Sequence, residues 1–197
     1  VEVISKVLDA IDPDELISLT SDLVKINSVW DPVAGTSEQA AAEHAAGWAE
    51  TQGFVVEMNL VAPGRPNAIV TWAAGPGQRT LMFEAHTDVV TPGDISSWRY
   101  DPFGAEIVGK RMFGRGTNDT KGNLAAMLVA MASLNRSGVG LAGVDFRKFC
   151  NEVVSESPEI STRCPSFFSL ASTRIPSQAV TMVLHNTKSL PPAIITS

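Results

Sequence analysis

Apolar residues recur at helical spacing early in the chain. A first amphipathic stretch covers residues 16–26 and follows Asp12-Pro13-Asp14-Glu15. This is typical of a helix start, because Pro fits the first turn and acids suit the positive end of the helix dipole. An Ala-rich run then extends to Gln52, and Thr36 with Gln39 predicts a capping box at its start. The pattern therefore predicts two helices before any strand.

The next apolar runs are short and indicate strands. We expect strands at residues 54–61, 68–72 and 79–85, the last more continuously apolar and so central and buried in a sheet. A hairpin is predicted around Gly109-Lys110, and a further helix from Asn118 or Asp119 onward. This order predicts an α/β fold with a mixed, mostly parallel sheet flanked by helices.

Composition excludes several function classes. The 197 residues carry a net charge of −6 without a Lys/Arg cluster, which argues against nucleic-acid binding. No apolar run approaches a membrane span, and no signal peptide opens the chain. Two cysteines, Cys150 and Cys164, form neither a disulfide framework nor a CxxC pair. We therefore expect a cytoplasmic protein with neither nucleic-acid nor membrane partners.

Three polar side chains are candidates for chemistry. His86 and Asp88 lie two residues apart at a strand's carboxyl end, where ligands bind in open α/β sheets. Asp119 follows the turn made by Gly114 and Gly116, at a helix start. Imidazole and carboxylate are common zinc ligands, and a nearby acid can orient a ligating imidazole. These residue types are compatible with a metal site.

Simpler interpretations remain open from the residues alone. A lone His-x-Asp is common by chance, and Asp119 alone is more typical of an N-cap. A nucleotide-binding Gly loop is a third hypothesis. Its third glycine is replaced by Asp119, and Lys121 is followed by Gly122 rather than Ser or Thr, so neither phosphate-loop pattern is complete.

The combined pattern is more specific than its parts. The stretches Glu84–Val90, Trp98–Phe103 and Gly114–Gly122 resemble the zinc-dependent family of aminoacylases, acetylornithine deacetylases, succinyl-diaminopimelate desuccinylases and glutamate-releasing carboxypeptidases. The resemblance is close over residues 81–134 and looser over residues 14–80. It implies an incomplete, zinc-peptidase-like catalytic domain.

The resemblance also implies roles for the candidate residues. His86 would bind one zinc ion, Asp119 would bridge two, and Asp88 would orient His86. The peptide bond after Asp119 would be cis. The cofactor would be two zinc ions, with cobalt as an alternative. The substrate would be an N-acyl amino acid or a short peptide, hydrolysed at its amide bond in a deacylase or carboxypeptidase reaction.

The chain departs from the family pattern after residue 140. A Glu-Glu pair, supplying the general base and a zinc ligand, should fall near residues 151–156, where Glu152 and Glu156 stand apart. His185 comes too early for the family's final His ligand, and His44 is interpreted as structural. A second domain, on which a homodimer would depend, has no counterpart.

Two parts are therefore expected. Residues 1–140 form the amino-terminal part of a metallohydrolase catalytic domain. Residues 141–197 are unassigned, with a truncated or out-of-frame tail as the hypothesis. The alternative to a working hydrolase is a catalytically inactive fragment or a non-enzymatic interaction module.

Overall fold

The computed structural model describes residues 2–73, 81–139 and 180–185, the last range as backbone. The expectations for the two cysteines, for Glu152 and Glu156, for the side chain of His185 and for most of the unassigned tail lie outside the described residues. The helices and strands are α1 Glu2–Asp9, α2 Pro13–Lys25, α3 Gln39–Thr51, β1 Val55–Ala62, β2 Arg65–Trp72, β3 Leu81–His86, β4 Glu106–Val108, β5 Arg111–Phe113, α4 Lys121–Ser137 and β6 Val180–His185.

The two predicted early helices are present, but their starts differ in kind. Helix α2 starts at Pro13 as expected, and the carboxylate of Asp12 caps it by accepting backbone N–H groups of the first turn. The predicted capping box of Thr36 and Gln39 is wrong. The residue before α3 is Glu38, and Thr36 instead forms an isolated β-bridge with Asp31. The backbone of Thr36 is thus already paired in a loop before the helix begins.

The sheet confirms the α/β class and its mixed character. Its strand order is β1-β2-β6-β3, with β1–β2 and β2–β6 antiparallel and β3–β6 parallel. Two of these three pairings are antiparallel, so the described strands are not mostly parallel. Strand β3 lies at one end of the described sheet rather than at its centre, and Leu81 is 47% exposed. The difference arises because β6, far along the chain, inserts between β2 and β3. Strands β4 and β5 form the predicted hairpin.

The core lies between the helices and one face of the sheet. Helix α3 packs against β1 and β2, α4 packs against β3, and α2 packs against α4. The fully buried side chains that join these layers include Leu23, Ala45, Ala49, Val70, Leu124 and Leu128. None of the helices within the described ranges is both long and apolar enough to cross a membrane. This packing fixes the end of β3 relative to the start of α4.

A buried ion pair joins α3 to the β1–β2 hairpin. Arg65 donates to Glu38 from its terminal nitrogen at 2.9 Å and from Nε at 3.3 Å. Glu38 is fully buried, and Arg65 also stacks on Trp30 at 4.8 Å. Burial is the largest influence on the pKa of Glu38 and raises it, while Arg65 opposes the rise. Each charge in this pair depends on the other.

Replacing Glu38 with Gln should therefore destabilise the fold. The substitution keeps the size of the side chain but removes the negative charge that Arg65 meets at 2.9 Å, and removing one partner of a buried ion pair typically costs about 3–5 kcal/mol. Urea unfolding should show this loss. The matched substitution Glu50→Gln, at an exposed position in α3, should change the free energy of unfolding by less than about 0.5 kcal/mol. Equal stability of the two variants would contradict the importance of the pair.

Candidate functional site

The carboxyl end of β3 is held by a loop from the end of α2. The hydroxyl of Ser28 donates to the carbonyl of Thr87 at 2.6 Å, and the amide of Val89 donates to the carbonyl of Ser28 at 3.3 Å. Ser28 and Thr87 are almost completely buried. Since these bonds lie on both sides of Asp88, they fix the backbone that carries His86 and Asp88.

Asp119 lies just before α4 and does not cap it. The N-cap residue is Thr120, and no side chain of this cap accepts a helix N–H group. The N-cap interpretation of Asp119 is therefore wrong. Its side chain is 86% exposed. The peptide bond between Asp119 and Thr120 is cis, as the resemblance implied.

The structure brings the three predicted site residues together. Nδ1 of His86 lies 3.0 Å from the carbonyl oxygen of Asp88 and 3.3 Å from its Oδ1. Nε2 of His86 lies 3.1 Å from Oδ1 of Asp119. The imidazole thus uses one nitrogen for Asp88 and turns the other towards Asp119.

This spacing suits two donors of one metal ion. Two ligands about 2.0–2.1 Å from a tetrahedral zinc would lie about 3.3 Å apart, close to the distance between His86 Nε2 and Asp119 Oδ1. In the part of the chain that the structure describes, no three His, Cys, Asp or Glu side chains are grouped to hold an ion. The described residues therefore fit two positions of a zinc coordination shell.

The charge on His86 is strongly coupled to its neighbours. The hydrogen bond to the side chain of Asp88 is the largest cause that raises the pKa of His86 to about 9, and Asp119 adds to the rise. Burial acts in the opposite direction. At neutral pH, without metal, the ring is therefore a cation between two carboxylates.

Lys121 is a supporting residue that sequence reasoning missed. It is fully buried, and its ammonium donates to the carbonyl of Ile26 at 2.7 Å. Burial lowers the pKa of Lys121 to about 8. A signal was available, because Lys121 precedes Leu124 and Leu128 by three and seven residues and so lies on the apolar face of α4.

Two adjoining cavities surround the site. One of about 450 Å³ is lined by His86, Asp88, Asp119 and Arg115, among others. A second, of about 290 Å³, is lined by aromatic side chains that include Trp98. Both cavities share Gly114 and Thr117. A ligand over His86 and Asp119 would therefore lie beside an apolar cleft. Sequence reasoning used Arg115 only as part of a resemblance and gave it no role.

Residues 82–149 match the model of peptidase family M20/M25/M40. A succinyl-diaminopimelate desuccinylase of Methylocella silvestris is 50% identical over 74 residues, which cover 37% of this chain and 19% of that protein. Its counterpart in Methylobacterium radiotolerans is 34% identical over 134 residues, or 66% of this chain and 33% of that protein. The matched stretches thus span a third or less of these two relatives.

A solved structure extends the comparison to the fold. Human carnosine dipeptidase 1 aligns with 92% of this chain and 34% of its own, at a TM-score of 0.58 and 19% identity. At that identity the likeness concerns the fold alone. The resemblance to the zinc-dependent deacylase and carboxypeptidase family is confirmed. The chain resembles the amino-terminal part of the proteins in that family.

The first turn of α4, just after Asp119, should not tolerate a side chain at Gly122. A Cβ there would meet the backbone carbonyl oxygen of Thr117, which cannot move as a side-chain end can. We expect Gly122→Ala to lower the free energy of unfolding by about 1–3 kcal/mol, measured by denaturant titration. Gly47→Ala is the matched control, because a Cβ meets nothing within 4 Å at Gly47 in α3. It should stabilise the protein by about 0.5–1 kcal/mol. Stabilisation by both substitutions would contradict the close contact.

The metal-free chain should show an unusually basic His86. We expect its imidazole to titrate near pH 9 and to titrate lower in Asp88→Asn, because the largest cause of the raised pKa is removed. A histidine pKa that is higher in the folded than in the unfolded chain adds stability below the unfolded pKa, and this stability is lost as the pH rises through about 9. Histidine-selective NMR titration measures the midpoint. An unchanged midpoint in Asp88→Asn would be the contrary result.

Proposed function

We propose that this chain is the amino-terminal part of a metal-dependent hydrolase that cleaves amide bonds in N-acyl amino acids or short peptides. The observation that carries the proposal is the convergence of His86 Nε2 and Asp119 Oδ1 at 3.1 Å, beside a cavity. The match of residues 82–149 to a peptidase family supports it independently. Residues 1–140 would supply this part of the catalytic domain.

His86, Asp88 and Asp119 have distinct parts in this proposal. His86 and Asp119 would hold zinc, and Asp119 has a second carboxylate oxygen that could reach a second ion. Asp88 keeps the proton of the neutral imidazole on Nδ1, because its carbonyl and carboxylate oxygens both accept there. The lone pair of Nε2 is then directed towards Asp119. Such an outer partner fixes the tautomer and orientation of a ligating histidine.

Zinc would supply Lewis-acid polarisation of the amide carbonyl when bound. The protein's own contribution would be to hold Nδ1 of His86 through Asp88, so that Nε2 stays directed towards Asp119. The general base is not among the residues to which the structure assigns a role. Glu152 and Glu156 remain candidates from the sequence and lie outside the described residues.

The N-acyl amino acid class is favoured over other amides. The curated relatives that match at 34–50% identity bear the name succinyl-diaminopimelate desuccinylase. Their reaction, by that name, removes a succinyl group, and we propose a related deacylation here. We also propose a cytoplasmic location, in keeping with the two cysteines of the chain.

A second candidate is a chain that holds metal without turnover. The number of metal-binding side chains favours this candidate, because the described residues bring two of them together and no third. Zinc-dependent hydrolysis of an N-succinyl or N-acetyl amino acid, abolished in His86→Ala, would exclude this candidate. Zinc binding without hydrolysis would support it.

Zinc binding should depend on His86 and Asp119. We expect His86→Ala and Asp119→Ala each to weaken zinc binding by at least about tenfold, since loss even of an outer-shell partner typically costs 10–100-fold. Competition against a chromophoric zinc chelator gives the affinity, and elemental analysis gives the stoichiometry.

Matched controls are available in the same chain. His44→Ala removes a histidine from α3, and Asp9→Ala removes an exposed carboxylate from α1. Both variants should bind zinc as the parent chain does. Parent-like binding by His86→Ala and Asp119→Ala would refute the proposed metal site, as would equal losses in all four variants.

A further inference from the structure

Arg115 lines one of the two cavities and contacts Trp98, which lines the other. Its amide donates to the carbonyl of Pro102 at 2.6 Å, which fixes its backbone. Its guanidinium lies 5.0 Å from the ring centre of Trp98. The same side chain lines the cavity that contains His86 and Asp119. A cation is thus placed beside the proposed metal site by stacking.

The hydrogen-bonding capacity of Arg115 is largely unused. A guanidinium carries five N–H donors. One terminal nitrogen of Arg115 donates to the carbonyl of Thr91 at a long 3.5 Å, and the buried Nε has no acceptor within the described ranges. By contrast, Arg65 and Arg136 each meet a carboxylate, at 2.9 and 2.8 Å.

No carboxylate among the described residues forms an ion pair with Arg115. A partly buried arginine without a counter-charge costs free energy unless an anion binds it. The planar guanidinium matches a carboxylate with two parallel hydrogen bonds. Stacking on Trp98 restricts the rotation of the group, so less side-chain entropy is lost when an anion binds.

We infer that Arg115 binds a carboxylate group of the ligand that occupies the cavity over His86 and Asp119. The inference rests on the proposed function, because N-acyl amino acids carry a free carboxylate. Arg115 is then a specificity-determining residue that selects acidic over neutral ligands. The adjoining cleft around Trp98 would receive an apolar part of the same ligand.

Succinate and its neutral analogue succinamide are suitable probes. The full chain is stripped of metal with a chelator, so that zinc cannot bind the carboxylate, and each probe is titrated at pH 7. Binding is followed by nitrogen-15 NMR at the Arg115 Nε–H and Trp98 Nε1–H signals. We expect succinate, but not succinamide, to shift both signals saturably.

Variants separate charge from packing. Arg115→Met keeps an aliphatic stem against Trp98 but should weaken succinate binding by about 10-fold or more, the equivalent of one charge-assisted hydrogen bond of about 1.5 kcal/mol or more. Arg115→Lys should recover part of the affinity, since it keeps the charge without the planar fork. Arg111→Met, at an exposed position on β5, should bind as the parent chain does.

Three results would overturn the inference: no shift with succinate, equal shifts with succinamide, or parent-like succinate affinity of Arg115→Met. Failure here is distinguishable from failure of the metal site. Suppose that zinc binding is lost in His86→Ala and retained in Arg115→Met, while the parent chain does not bind succinate. The role of Arg115 alone is then refuted. If the chain binds succinate through Arg115 but does not bind zinc when zinc is added, the metal site alone is refuted.

Discussion

The geometry of the candidate site depends on one short segment, residues 26–28, just after α2. The carbonyl of Ile26 accepts a hydrogen bond at 2.7 Å from the buried ammonium of Lys121. Lys121 lies two residues after Asp119. The last residue of the segment, Ser28, bonds the backbone at Thr87 and Val89, on the side that carries His86. The two halves of the site are therefore positioned against a common support.

Burying Lys121 has a free-energy cost, since an ammonium group leaves water for one acceptor within the described ranges, the carbonyl of Ile26. Its lowered pKa, about 8, reflects that cost. The cost is consistent with a positional role, because the cation ties the first turn of α4 to the end of α2. An apolar side chain could fill the same volume but could not bond the carbonyl of Ile26. Asp119, two residues earlier, is mostly exposed and relies on this anchorage for its position.

Local patterns in the sequence were sufficient for most elements, and the motifs singled out His86, Asp88 and Asp119, which the structure brings together. Asp12 began a helix as expected, and residues 106–113 formed the expected hairpin, because both depend on neighbouring residues. The place of β3 in the sheet was not predictable from its apolar run. Its neighbour, β6, comes from about a hundred residues later in the chain. The failed capping box at Thr36 has a similar cause, since its backbone is paired with Asp31.

The contact of Lys121 with Ile26 and the contact of Arg115 with Trp98 required the three-dimensional structure, since each joins residues that are distant along the chain. The same is true of the proton on His86. Asp88 binds Nδ1, and Nε2 faces Asp119, so the metal-free ring holds its proton up to about pH 9 and neutralises nearby carboxylate charge. A metal ion at Nε2 would replace that proton with a larger positive charge at the same point. In the metal-free chain the imidazolium contacts both carboxylates, and the proposed metal binding at Nε2 would require loss of its proton.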